Sequence, residues 1–134
     1  MAAEQASPFA IGILGCANIA KKNCRAAGAA ARRVVAVASR RDDKARGFVR
    51  EVLGDDDPAI FAGGEDAYAR LLEEDRTAEA VYVPLPTRLH ERYVRRALAS
   101  GRHVLLEKPT GRSGADYADM VKAAIESGKL LMDG

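Results

Sequence analysis

A chain of 134 residues has room for one domain with a real core, and 48% hydrophobic with 30% charged residues is a globular composition. A net charge of +2, carried mostly by scattered arginines, excludes a nucleic-acid or membrane-surface role built on a basic block. No apolar run approaches membrane-spanning length, and residues 1–7 lack the apolar core of a signal peptide.

Residues 1–8 are expected to be a disordered tail and 9–134 a single domain. The run Phe9 to Leu14 reads as a buried strand that breaks at Gly15 and enters a helix near Asn18, the plausible cap. The helical pattern lasts to about Ala31, with Ile19, Asn23, Ala26, Ala27 and Ala30 at helix spacing and an alanine-rich face suited to a sheet. Val34 to Ala38 has no polar alternation, the mark of a parallel strand buried on both faces. Asp42 or Asp43 is placed to cap a helix to about Leu53, ended by Gly54, the aspartates 55 to 57 and Pro58.

Ile60 to Ala62 reads as a short edge strand. Gly63 and Gly64 then turn into a helix with Ala67, Tyr68, Leu71 and Leu72 on one face. Ala80 to Val83 is the next buried strand, ended by Pro84 and Pro86. A helix carries Leu89, Tyr93, Val94, Ala97 and Leu98 and stops at Gly101. His103 to Leu106 is a strand leading into Glu107, Lys108 and Pro109. Ser113 with Asp116 forms a capping-box pattern. The helix after it shows a stripe of Tyr117, Met120, Val121, Ala124 and Ile125. Gly128 ends that helix, and Leu130 to Met132 begins a sixth strand. Strand and helix alternate throughout, so the expected fold is α/β: a Rossmann-type, doubly wound parallel sheet in a single domain.

Four places carry chemistry. At the first, a strand turns through glycine into a helix, whose unpaired first-turn amides and dipole make a phosphate cradle. Against G-x-G-x-x-G/A the residues are Gly15, Cys16, Ala17, Asn18, Ile19 and Ala20. Ala17 stands where a second glycine lets the backbone approach a pyrophosphate. At the second, the position about 20 residues on that selects the ribose 2′-group reads Ser39-Arg40-Arg41, without a carboxylate. A hydroxyl followed by guanidinium groups suits a 2′-phosphate, so NADP is expected in preference to NAD. Arg40 is also placed to stack on the adenine. A methyltransferase shares the glycine turn but calls for an acidic residue here.

Third, Pro84 and Pro86 hold the loop after the fourth strand. Thr87 is a candidate helix cap and cofactor contact, and His90 lies in the first turn of the next helix. His90 has two readings, a functional histidine and a helix-start histidine bonded to backbone; His103 reads as structural. Fourth, Glu107-Lys108-Pro109 lies at the C-terminal end of the fifth strand, where open parallel sheets bind ligands. A lysine there is suited to polarise or protonate a hydroxyl or carbonyl facing a nicotinamide. From the tripeptide alone Lys108 reads as a surface lysine in a turn; set beside the other motifs, Lys108 and His90 are the candidate catalytic residues.

Two histidines without clustered Cys or carboxylates leave no metal site. Cys16 and Cys24 stand roughly 12 Å apart along one helix, too far for a disulfide. A reduced, cytoplasmic protein with small buried thiols is expected.

The chain resembles the N-terminal half of the Gfo/Idh/MocA oxidoreductases from Phe9 to Gly134, through GILGCANIA (12–20), AVASRR (36–41), VYVPLPTRLH (81–90) and LLEKPTG (105–111). GCANIA with the closing MDG is most similar to the branch with dimeric dihydrodiol dehydrogenase and NADP-dependent xylose dehydrogenase. The resemblance implies a dinucleotide-binding Rossmann domain in which Lys108 matches the catalytic lysine of the EKP motif, with a lysine–proline bond often cis. It implies that Ser39 and Arg40 select NADP, and that Pro86, Thr87 and His90 line a loop beside the nicotinamide. The family often has Asn where Thr87 stands. Its members continue into a second α/β domain that supplies much of the substrate pocket and usually the oligomer interface. Two functions are therefore carried forward. One is the cofactor half of an NADP-dependent oxidoreductase of a sugar, polyol or cyclic diol, with an oligomer left open. The other is a non-catalytic module that binds NADP or a partner.

Overall fold

The computed structural model describes residues 9–54 and 57–134, and for residues 28–32 the backbone alone. The expectations for residues 1–8, Asp55, Asp56 and the Ala30 side chain lie outside the described residues. Among the described residues six strands alternate with five α-helices: β1 (Phe9–Leu14), α1 (Asn18–Ala31), β2 (Arg32–Ser39), α2 (Asp42–Phe48), β3 (Ala59–Ala62), α3 (Ala67–Glu74), β4 (Ala80–Val83), α4 (His90–Ala99), β5 (His103–Leu106), α5 (Gly114–Ser127) and β6 (Leu131–Asp133). A π-helical turn, Val49–Leu53, continues α2, and a 3-10 turn, Thr87–Leu89, leads into α4.

The strands form one sheet in the order β3-β2-β1-β4-β5-β6, and every neighbouring pair is parallel. This is the doubly wound Rossmann order, in which the direction of winding, not of the strands, reverses between β1 and β4. The C-terminal ends of all six strands therefore lie along one edge. That places Gly15, Arg40, Pro84 and Lys108, each just beyond a strand, on the same side of the molecule.

Side chains alternate between two layers. Leu14, Ala36, Ala38, Val81, Val83, Val104 and Leu106 meet α3, α4 and α5 in the larger core. Ile13, Val34, Val37 and Tyr82 meet Ala20 and Cys24 of α1 and Ala45, Phe48 and Leu53 beyond β2 in the smaller one. The smaller layer stops short. Leu105 is 40% and Met132 60% exposed on its side of the sheet, so β5 and β6 are not covered on both faces.

Several local expectations are corrected. The buried stripe of α1 is Ala20 and Cys24, whereas Ile19, Asn23, Ala26 and Ala27 are exposed. The cause is that open half of the sheet: Asn23 and Ala27 border an apolar groove of about 170 Å³ with Tyr82 and Leu105. Asn18 is the first helical residue rather than the cap; the Ala17 carbonyl accepts from Lys21 N–H at 3.3 Å. Neither Asp42 nor Asp43 caps α2, which starts after Arg41 with both aspartates in its first turn, where they complement the dipole. β2 starts at Arg32, two residues early, because the ladder with β1 runs back to Phe9. Ile125 leaves the α5 stripe, 77% exposed. Ser113 does accept from Asp116 N–H at 3.2 Å, but the Asp116 carboxylate turns to Arg112 N–H rather than closing the box.

Candidate functional site

Gly15 makes the turn out of β1 at φ +108°, held by Gly15 N–H donating to Ala38 O at 2.9 Å. A Cβ there would lie 3.0 Å from Leu85 Cδ2, so both the turn and the β4 loop beside it need glycine. The turn opens on a cleft of about 180 Å³ at the point where the sheet order reverses. Gly15, Cys16, Ala17, Ser39, Arg40, Arg41, Pro84 and Pro86 all line it, which brings together most of the sequence-predicted cofactor residues. Asn18 and Ile19 follow in the first turn of α1, whose leading amides have no partner inside the helix. A larger open groove of about 780 Å³ between α4 and α5, rich in arginine, shares no residue with this cleft.

Ser39 is buried and its Oγ accepts from Arg41 N–H at 3.2 Å, which shapes the turn beyond β2. The two arginines that follow are not equivalent. Arg41 donates through Nε and Nη2 to both oxygens of Asp43, at 3.0 and 2.6 Å, so its charge is met locally. Arg40 has only a loose contact with exposed Glu65 at 3.6 Å. Lys44, one turn into α2, lines the same cleft. The sequence reading passed over Lys44 because it sits inside a helix, away from the strand end; its spacing from Ser39 was the available signal. Cys16 is part of the cleft wall, and burial pushes its thiol up to about 11. Neither cysteine is in a disulfide.

The second half of the edge carries Lys108. It is exposed, follows β5 by two residues, and is joined to Pro109 by a cis peptide bond, as the EKP resemblance implied. Glu107 does not face it. Tyr82 Oη donates to Glu107 Oε1 at 2.6 Å, and Asn23 Nδ2 donates to the same oxygen and to Tyr82 Oη, each at 2.8 Å. Burial, and next the Glu107 carboxylate, hold the Tyr82 phenol far above its ordinary range. Asn23 and Tyr82 were missed because they lie 84 and 25 residues from Glu107 and share no local pattern with it.

His90 is 1% exposed and both ring nitrogens face backbone carbonyls: Nε2 to Leu85 O at 2.6 Å and Nδ1 to Thr110 O at 3.1 Å. A neutral ring donates to one of these two carbonyls, which is the contact the backbone-bonded reading calls for. Thr87 provides no side-chain cap; its carbonyl accepts from His90 N–H within the 3-10 turn. His103 accepts Leu130 N–H at Nδ1, 3.0 Å, and stacks on Phe9, a structural role. Among the described residues no group of three or more His, Cys, Asp and Glu is placed to hold a metal ion, and no helix is long and apolar enough to cross a membrane.

The family described as an oxidoreductase family with an NAD-binding Rossmann fold, Gfo/Idh/MocA, matches residues 9–134. The chain is 39% identical over 132 residues to dTDP-3,4-didehydro-2,6-dideoxy-alpha-D-glucose 3-reductase of Actinomadura kijaniata, covering 96% of this chain and 36% of that protein. It is 35% identical over 122 residues to D-xylose 1-dehydrogenase (NADP(+)) 2 of Haloferax volcanii, covering 91% of this chain and 35% of that one. The crystal structure of KijD10, a 3-ketoreductase from Actinomadura kijaniata in complex with NADP and TDP-benzene, superposes with a TM-score of 0.80 at 37% identity, over 96% of this chain and 37% of that one. The chain thus spans little more than a third of the length of these relatives.

Proposed function

The chain belongs to the Gfo/Idh/MocA oxidoreductase family, with its NAD-binding Rossmann fold, and from that premise we propose that it is the cofactor-binding half of an NADP-dependent oxidoreductase acting on a sugar, polyol or cyclic diol. The observation that carries the cofactor choice is the cationic end of the cleft. Arg40 and Lys44 border it next to the buried Ser39 hydroxyl; Arg40 has a 3.6 Å pair with exposed Glu65, and Lys44 makes no ion pair among the described residues. Two cations and a hydroxyl match a phosphate on the ribose, and no carboxylate stands among the cleft residues to receive a bare 2′-hydroxyl. The relatives support the same choice, one by an NADP(+)-specific name and one by bound NADP.

The residues present fit the dinucleotide. Gly15 leaves the space that a side chain would fill, and the first turn of α1 offers amides to the pyrophosphate. Bound NADP supplies the hydride acceptor at nicotinamide C4. Lys108 is the proton carrier: its amine takes the hydroxyl proton as a carbonyl forms and returns it in the reverse direction. Ser39, Arg40 and Lys44 hold the 2′-phosphate. Arg41, neutralised by Asp43, contributes little. Sugar-like substrates follow from the relatives, whose names describe a dTDP-sugar reductase and a xylose dehydrogenase. The rest of the substrate pocket would come from a second domain of the kind the family resemblance implies.

Calorimetric titration tests the reading. NADPH binds at least tenfold more tightly than NADH. Arg40→Ala and Lys44→Ala each weaken NADPH about tenfold or more, roughly 1.4 kcal/mol, and leave NADH alone. Arg41→Ala changes NADPH affinity by less than about threefold. Equal affinity for the two cofactors overturns the proposal. In a form of the protein that turns over substrate, Lys108→Ala abolishes turnover while NADPH affinity is kept. The reading of the chain as a non-catalytic NADP-binding or partner-binding module gains ground if Lys108 proves dispensable.

A further inference from the structure

Lys108 makes no hydrogen bond or ion pair among the described residues, yet a proton carrier on a four-carbon stem has to start from a fixed place. The segment around it is tied on both sides, and neither tie uses its side chain. Upstream, Glu107 N–H donates to Val83 O at 3.3 Å, and the Glu107 carboxylate is taken by Tyr82 of β4 and Asn23 of α1. Downstream, Thr110 O faces His90 Nδ1 at 3.1 Å, while His90 Nε2 anchors on Leu85 O at 2.6 Å. The five anchoring residues come from α1 (Asn23), β4 (Tyr82 and Val83), the loop after it (Leu85) and the start of α4 (His90).

We propose that Asn23, Tyr82 and His90 are positioning residues that clamp Glu107 and Thr110 and thereby set the place of Lys108 between them. This rests on the reading of Lys108 as the proton carrier. The clamp has a second effect. It turns the Glu107 carboxylate toward α1, where two donors hold it, so that it does not capture the ammonium one residue away. A half-buried carboxylate–phenol contact at 2.6 Å is a charge-assisted bond, about twice as strong as a neutral one. His90 does related work: its rigid ring sits between the carbonyls of Leu85 and Thr110, five and twenty residues away in sequence, and in the neutral imidazole its single N–H donates to one of them. The turn that carries the amine is therefore referenced to the same β4 loop that packs against Gly15, which ties the lysine end of the edge to the phosphate end.

Nuclear spin relaxation on the 134-residue chain tests the clamp without needing turnover. In the parent, the Lys108 and Thr110 amides have order parameters near 0.85, as in rigid backbone. The double variant Tyr82→Phe with Asn23→Ala lowers the Lys108 value below about 0.7 while the Ile13 and Val37 amides are unchanged. His90→Gln lowers Thr110 and Lys108 together. A general structural role would lower the melting temperature without singling out these amides. Unchanged order at Lys108 in the folded double variant overturns the proposal, and that variant keeps the question open to measurement should His90→Gln unfold. NADPH titration of the parent is run in parallel: absence of binding sinks the cofactor reading, while the clamp stands or falls on the relaxation data.

Discussion

Gly15 and Cys16 show how much chemistry two neighbouring positions decide. Gly15→Ala asks an L-residue to hold φ +108° and drives a methyl to 3.0 Å from Leu85 Cδ2. The expected result is a lower melting temperature together with at least tenfold weaker NADPH binding, because the turn and the β4 loop move apart. Cys16 reports on pH. Burial raises its thiol from 9.0 to about 11 in the folded protein. Below pH 9 it is protonated in both states and contributes no slope. Between 9 and 11 the unfolded chain releases its proton first, so stability falls as pH rises. Urea midpoints fall across that window, and Cys16→Ala flattens the decline. At pH 8 its alkylation by iodoacetamide, followed by peptide mass mapping, runs about a hundredfold slower than that of a thiol with a value of 9. Glycine at 15 was legible from its place between an apolar run and a helix. The inequality of Arg40 and Arg41 was not, because Asp43 reads as a helix-start acid until the bidentate pair is seen.

Among the elements, β4 and β5 have the bounds the apolar quartets AVYV and HVLL suggest, since short runs between turn residues leave a strand little freedom. The end of α3 was less legible. It is closed from a distance by Arg102, 6% exposed, which donates to Leu72 O at 2.9 Å and to Asp75 O and meets the Asp75 carboxylate at 3.9 Å. Burial pulls the Arg102 guanidinium below its ordinary range. A lone arginine after Gly101 gives no hint of this, because its partners lie 30 and 27 residues back. Arg102→Ala leaves two helix-end carbonyls and a buried carboxylate without their cation. The expected cost is about 3 kcal/mol, read as a lower urea midpoint at unchanged m-value. Ser113→Ala costs less, about 1 kcal/mol, since it removes a single cap bond at an exposed helix start. The split of α2 into α and π turns has no signature in the sequence VREVL that we can identify.

At the scale of the molecule, the strand order and the common edge were legible because βα alternation with parallel pairing leaves few topologies. What sequence could not supply was the tertiary stitching of that edge. The bonds from Asn23, Tyr82 and His90 join residues from separate elements, and no periodicity records them. The same topology has a temporal side. β1, made first, ends up in the middle of the sheet, and Ala10 meets Glu79, 69 residues later. At ~5–20 residues per second on a ribosome, the first strand waits between about 3 and 14 s for its second neighbour. During that interval its β4 side is a bare strand edge. Nascent chains arrested before Ala80 should be cut by added protease within 9–14, and those released past Leu106 should resist it. Synthesis rate between the codons for Ala10 and Glu79 thus sets how long the future centre of the sheet stays vulnerable.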